Sequence, residues 1–305
     1  MIPFKWEPAQ NMTFKPDNGS QVLQDGNYDI SANGSFTMEA PGETLLLRNA
    51  TSLNQEFLNI NAGHLSVEMA DLSATGNELH LTGINVGATG KIATFTVSDR
   101  PEVSENTPPL GRTSSVNFDR DTLIGPAGTL NVTQFTPVYQ AYIGGPCTLS
   151  GNAAFNYICS NVTNEVSCDG ATFTLSESAR LFIDTRKLAY LSLKLLGSSA
   201  AILCCESLPF VKSIVIADNA YLYCGGQGKR KFQVPADKGT FTLMNTGNNK
   251  ATLALSGLTP KGADIASDEG QKWLDANGIV TAMFGLPIKY DKTSQPGIML
   301  ITCGL

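Results

Sequence analysis

Leu188-Ala-Tyr-Leu-Ser-Leu-Lys-Leu-Leu-Gly-Ser-Ser-Ala-Ala-Ile-Leu-Cys-Cys-Glu-Ser-Leu-Pro-Phe-Val-Lys-Ser-Ile-Val-Ile216 decides how this chain is read. Leu188-x-x-Leu191-x-Leu193 returns as Val211-x-x-Ile214-x-Ile216, twenty-three residues on. Just upstream, Arg180-Leu-Phe-Ile-Asp184 precedes Ile202-Leu-Cys-Cys-Glu206 by twenty-two, with an apolar centre in both. Each piece alternates like a short strand and is bounded by Gly, Ser or Asn. Farther out, Leu58, Ile60 and Leu65 recur as Leu79, Leu81 and Val86, and Cys147 and Cys168 are again twenty-one apart. A repeat of 21–23 residues built of short strands is what one coil of a β-solenoid requires, because a coil buries its inner face only by stacking. The expectation is therefore an all-β chain, with a β-solenoid over at least residues 165–225. The alternative is a pair of β-sandwich or jelly-roll domains, whose strands also arrive every ~8–12 residues.

Composition agrees with a β-rich chain. Of 305 residues, 42% are hydrophobic and 16% charged, so the missing charge has been replaced by small polar residues. Gly 29, Thr 28, Ser 23 and Asn 22 make up a third of the chain. The apolar fraction excludes a disordered tail. A net charge of −6 argues against a nucleic-acid partner. No run approaches the ~18 apolar residues of a membrane helix, so no membrane insertion is expected. The opening Met1-Ile-Pro-Phe-Lys-Trp-Glu-Pro has no apolar core of a secretory signal.

The chain divides by composition. Residues 1–33 are polar, with Pro3, Pro8 and Pro16, and read as an extended N-terminal arm. Residues 34–97 read as a first β domain, and 98–115, with three prolines and five charges, as a linker or long loop. Residues 116–257 read as a second β domain with solenoid-like coils, its strands including Thr129–Gln134, Tyr190–Leu195 and Tyr221–Cys224. In the C-terminal segment 258–305, Ser267 before Asp268 and Glu269, with Asn277-Gly278 behind, predicts one short helix. All seven cysteines lie from Cys147 onward, with no Cys-x-x-Cys, and are expected to pack as small buried hydrophobes.

Phe57-Leu-Asn-Ile-Asn-Ala-Gly-His-Leu-Ser-Val67 and Gly170-Ala-Thr-Phe-Thr-Leu175 resemble, in architecture, coils of right-handed parallel β-helices. Phage tailspikes, autotransporter passengers and polysaccharide lyases share that look, and Leu188–Asn219 also resembles two irregular leucine-rich repeats. The resemblance brings no catalytic motif. It implies an adhesin-like or virion-associated structural protein, with a homotrimer as the analogous assembly.

Site candidates follow from residue type and spacing. Asp184 and Glu206 fall at matching positions of the twenty-two-residue repeat, and stacked one coil apart they suit an acid–base pair or a cation site. Asp119 and Asp121, flanking Arg120, share one face if the segment is extended. These four carboxylates carry the enzymatic alternative, a polysaccharide hydrolase or lyase. Tyr190, Tyr221 and Tyr223 offer flat amphipathic surface for a sugar or a protein. Lys229, Arg230 and Lys231 end a glycine-rich loop as a basic patch, without the spacing of a phosphate-binding loop. His80, alternating with Leu79 and Leu81, reads as an exposed strand histidine. No metal or cofactor is expected.

The expectation for function is a non-enzymatic binding and structural protein on a virion, phage tail or cell surface. It would recognise a glycan or protein receptor and attach to a larger particle through residues 1–33. An intracellular, cytoplasmic scaffold is the third reading.

Overall fold

The computed structural model describes residues 1–32, 34–55, 57–69, 78–99, 114–134, 138–159, 165–228, 230–245 and 248–304. The chain winds as a three-faced solenoid of parallel strands. The long strands Ser35–Ala50 and Leu58–Met69 bend from the first face into the second, joining both faces into one 21-stranded sheet. A six-stranded sheet makes the third face.

Alternation within each strand sends every second side chain inward, and the parallel register stacks those side chains in rows. On the first face one row runs Met12, Phe36, Leu58, Ile84, Thr122, Cys147, Phe173, Leu193, Ile214, Phe241 and Val280. A second-face row runs Leu45, Leu65, Phe95, Leu130, Phe155, Leu181, Ala201, Leu222 and Leu253. Nearly all of these are fully buried. Each large side chain so placed contributes roughly 1.5–3 kcal/mol.

The outer rows account for the composition. Identical outward residues stand one rung apart, where like charges would repel but amides and hydroxyls bond to each other. Asn85 donates to Asn59 at 2.8 Å and Asn156 to Asn131 at 2.9 Å. Ser192 meets Ser213, and Thr242 meets Thr281, each at 3.2 Å. Corners between the first and second faces repeat a tight turn whose outermost residue is left-handed: Gly151 (φ 64°), Glu177 (58°), Gly197 (63°) and Asp218 (57°).

Both ends are covered. Phe4 and Trp6 close the N-terminal end, Trp6 stacking on Phe36 with centroids 5.2 Å apart and meeting Tyr28 edge-on. At the other end Met299–Cys303 pairs antiparallel with Thr252–Ser256, and Ile288–Asp291 pairs with it in turn. The helix Asp268–Asn277 has Ser267 capping the Gly270 amide and Gly278 left-handed at its C-terminus (φ 58°). Such caps shield the apolar rows and open edges that a stack of coils leaves at its termini. Among the described residues no helix is long and apolar enough to cross a membrane.

Four expectations are corrected. Residues 1–33 are not a free arm: Asn11–Phe14 and Gln21–Gln24 pair with Ser35–Ala50 as the first coil. The two β domains are one solenoid, since Ala93–Asp99 pairs directly with Gly128–Gln134 across the predicted linker, of which residues 100–113 lie outside the described residues. The register within the deciding stretch is two residues shorter than read: Leu193 pairs with Ile214 and Asp184 with Cys204. Leu58 pairs with Ile84, not with Leu79, which lies on the third face. A slip of two keeps every side chain on its face, so alternation alone cannot detect it.

Truncating Leu195, fully buried on an inner row, to alanine should cost about 2–5 kcal/mol. Ile202→Ala, on the outer face and 39% exposed, should cost under about 1 kcal/mol by the same reasoning. Urea-unfolding midpoints of the two variants check the assignment of faces.

Candidate functional site

The third face meets the first along an edge where each coil turns through a few residues. Those turns are Phe57, Thr82–Gly83, Asp119–Arg120–Asp121 and Gly144–Gly145–Pro146, taken in coil order. Together with Ile84 and Asn85 they line a groove of about 540 Å³. Backbone bonds fix its floor: Ile84 N–H donates to Asp121 O at 3.0 Å, and Thr122 N–H to Pro146 O at 2.8 Å. Gly145 fits beneath Arg120 only because it has no side chain, since a Cβ there would lie 2.2 Å from the Arg120 carbonyl.

The groove's chemistry is mixed. Phe57 is 50% exposed, a ring standing in solvent at one wall. Asp121 and Arg120 are exposed and Asp119 is half-buried. Asp119 is held by His80, whose Nε2 contacts Oδ2. An extended segment was expected here, with the two aspartates on one face and Arg120 on the other. The strand instead ends at Phe118, and in the corner all three line the groove. His80 is correspondingly a partner of Asp119 rather than an unattached surface histidine.

The second predicted carboxylate pair does not form. The two-residue register error separates Asp184 from Glu206. Arg186 Nε donates to Glu206 Oε2 at 2.9 Å. Asp184 is buried, bonded by Arg230 Nη2, with the Gln227 amide beside it. Arg230 also donates to Thr185 O at 3.0 Å. The glycine-rich loop is thereby clasped onto the solenoid, so Arg230 is not part of a free basic patch. Lys231 is exposed, and Lys229 lies outside the described residues.

The tyrosines separate into two places. Tyr221 and Tyr223 face outward from the second face, Tyr223 level with Ile202, and burial beside Tyr223 pushes the Tyr221 hydroxyl up. Tyr190 was expected to start a strand. It occupies a turn of the same edge as the groove, left-handed at φ 58°, and stacks on Phe210 with centroids 5.1 Å apart and planes at 18°. Neither Phe57 nor Phe210 was singled out by the sequence. Phe57 directly precedes the strand Leu58–Met69 and Phe210 lies between Pro209 and Val211, so local pattern gives no sign that either faces water.

All seven cysteines are buried thiols in no disulfide. Cys147 pairs in its ladder with Phe173 rather than Cys168, which sits at the preceding corner. Among the described residues no three His, Cys, Asp or Glu side chains converge to hold a metal.

Comparison with protein-family models, with curated proteins and with solved structures finds no match to this chain.

Two outcomes are expected. Arg230→Ala strands a buried carboxylate and should cost about 2 kcal/mol, below the ~3–5 kcal/mol of a fully buried pair because Arg230 is partly solvated. Arg186→Ala, in a half-buried pair still open to solvent, should cost ~0–1 kcal/mol. Chemical denaturation of both variants measures the difference. Burial pushes the Cys168 thiol up to about 12, so at pH 8 about one such thiol in ten thousand is the reactive thiolate. A thiol-titrating disulfide reagent should therefore find almost no reactive cysteine in the native protein, and all seven once it is unfolded.

Proposed function

We propose that this chain is a non-enzymatic, glycan-binding β-solenoid that works as a displayed recognition module. The observation that carries the reading is the groove at Phe57, Asn85, Asp119, Arg120 and Asp121. An exposed aromatic ring offers a flat apolar face to the C–H side of a sugar. Carboxylate, amide and guanidinium groups beside it supply acceptors and donors for hydroxyls. The neutral Asn, Ser and Thr rows around it form a surface on which such contacts compete weakly with ionic partners. A virion, tail or cell surface is the setting this reading favours, with a trimer as its natural assembly. Attachment to a particle is no longer assigned to residues 1–33, which build the first coil.

One observation favours the hydrolase or lyase reading as runner-up. Asp119 and Asp121 share the groove, and His80 orients the former. The pair Asp184 and Glu206 no longer enters it.

A glycan array probed with the intact protein tests both. Losing the Phe57 ring should weaken capture about threefold to tenfold, from the ~0.5–1.5 kcal/mol of an aromatic contact. Asp121→Asn should weaken it about tenfold or more, as a charge-assisted bond is worth ~1.5–3 kcal/mol. Both variants should keep the wild-type circular dichroism. Shortened products appearing from a captured polysaccharide, and ceasing with Asp119→Asn, would replace binding by catalysis; an array with no captured glycan would end the reading.

A further inference from the structure

The groove occupies only part of its edge. Beyond Pro146 the same corner continues through Asp169–Gly170, Tyr190–Leu191 and Pro209–Phe210. Its turns are joined in sequence by backbone bonds: Cys168 N–H to Ala189 O at 2.9 Å, and Tyr190 N–H to Pro209 O at 3.0 Å. Coils are spaced at ~4.8 Å, so the six steps from Phe57 to Phe210 span roughly 29 Å.

Two features mark the far end of this edge. Tyr190 and Phe210 are both left-handed, at φ 58° and 56°, where a bulky residue is strained. In the preceding coil the corner uses Gly170 at φ 91°, without that strain. Phe210 is also 67% exposed, so its ring gains little from burial. The left-handed turns set two near-parallel aromatic rings one coil apart on the edge that carries Phe57.

Among the described residues the charge along this edge is nearly balanced. Asp119 is matched by His80, Arg120 stands beside Asp121, and Asp169 is paired with Lys212 at 2.7 Å. No cluster of cations stands there among the described residues to select a polyanion.

We propose that this edge is a continuous track for a linear, uncharged polysaccharide, with the Phe57 groove at one end and the Tyr190–Phe210 stack as a second sugar platform at the other. The inference rests on the glycan-binding reading and deepens it: the occupant is a chain of several sugar units bound along its length, not a terminal sugar.

The probes are two-unit and six-unit cello-, xylo-, manno- and chito-oligosaccharides, with a sulfated hexamer as the polyanionic comparison, titrated calorimetrically. Some neutral hexamer should bind at least tenfold more tightly than its two-unit counterpart and than the sulfated hexamer. Phe210→Gly should lower hexamer affinity about tenfold, leave two-unit binding at Phe57 unchanged, and raise Tm by relieving the left-handed strain. A merely structural Phe210 would instead lose stability on that change. Equal affinity for both lengths, or hexamer binding indifferent to Phe210→Gly and Tyr190→Ala, overturns the track while leaving the groove reading intact. So does a wild-type oligomer that Phe210→Gly dissociates in size-exclusion chromatography, since the stack would then be a subunit contact. If no oligosaccharide of either length binds, the glycan reading itself fails and the track with it.

Discussion

In-register stacking of one coil on the next is the constraint from which the rest of this molecule follows. A single turn of three short strands has no hydrophobic interior and leaves every backbone N–H and C=O unpaired along both edges. Its neighbours supply both. Leu193 finds Phe173 below and Ile214 above, and the same two neighbours satisfy its backbone. Stability is then close to a sum over adjacent coils, and the two ends become the exposed liabilities. That explains the use of Phe4, Trp6 and Tyr28 at one end and of an antiparallel hairpin with a short helix at the other.

Stacking also dictates what is permitted outside. A residue chosen for one coil is placed about 4.8 Å from its counterpart in the next. Runs of one charge are costly in that arrangement, while amides and hydroxyls bond along the row, as Asn131 and Asn156 do. Some charges come as matched neighbours, such as Arg48 and Glu68 at 3.3 Å. The corners answer to a different rule. They vary in length from coil to coil: thirty-eight residues separate the paired Ile84 and Thr122, against twenty-one between Leu193 and Ile214. Loops at corners and side chains along one edge are therefore the places where function can vary without disturbing the core.

Much of the fold was legible in local pattern. Alternation located some strands but missed others such as Cys147–Leu149, Ala154–Cys159 and Met299–Cys303, Ser267 and Gly278 bounded the helix, and the 21–23-residue recurrence around Leu188–Ile216 identified coils. The site was legible only in fragments. Asp119, Asp121 and Tyr190 were noticed for their chemistry, but nothing in a linear reading joins Phe57 to Asp121 or Tyr190 to Phe210. Their proximity depends on coil lengths that vary, so equal spacing cannot be assumed. Asp184 and Glu206 show the converse error. A spacing of twenty-two made them stack, while the true step of twenty set Cys204 beside Asp184.

The sequence by itself determined that this chain is β, that its strands bury one side, and that its surface is neutral and polar. Those are local properties, set by periodicity and side-chain chemistry. Only the tertiary structure decided which residues are neighbours across coils. A two-residue slip in register leaves the inside and outside of every strand unchanged, so the hydrophobic pattern is blind to it. Packing of unlike side chains such as Phe173, Leu193 and Ile214, and the tightness of each corner, remove that ambiguity. With the register fixed, one pair of carboxylates is parted, another pair is brought into a groove, and two stacked aromatic rings are set on its edge.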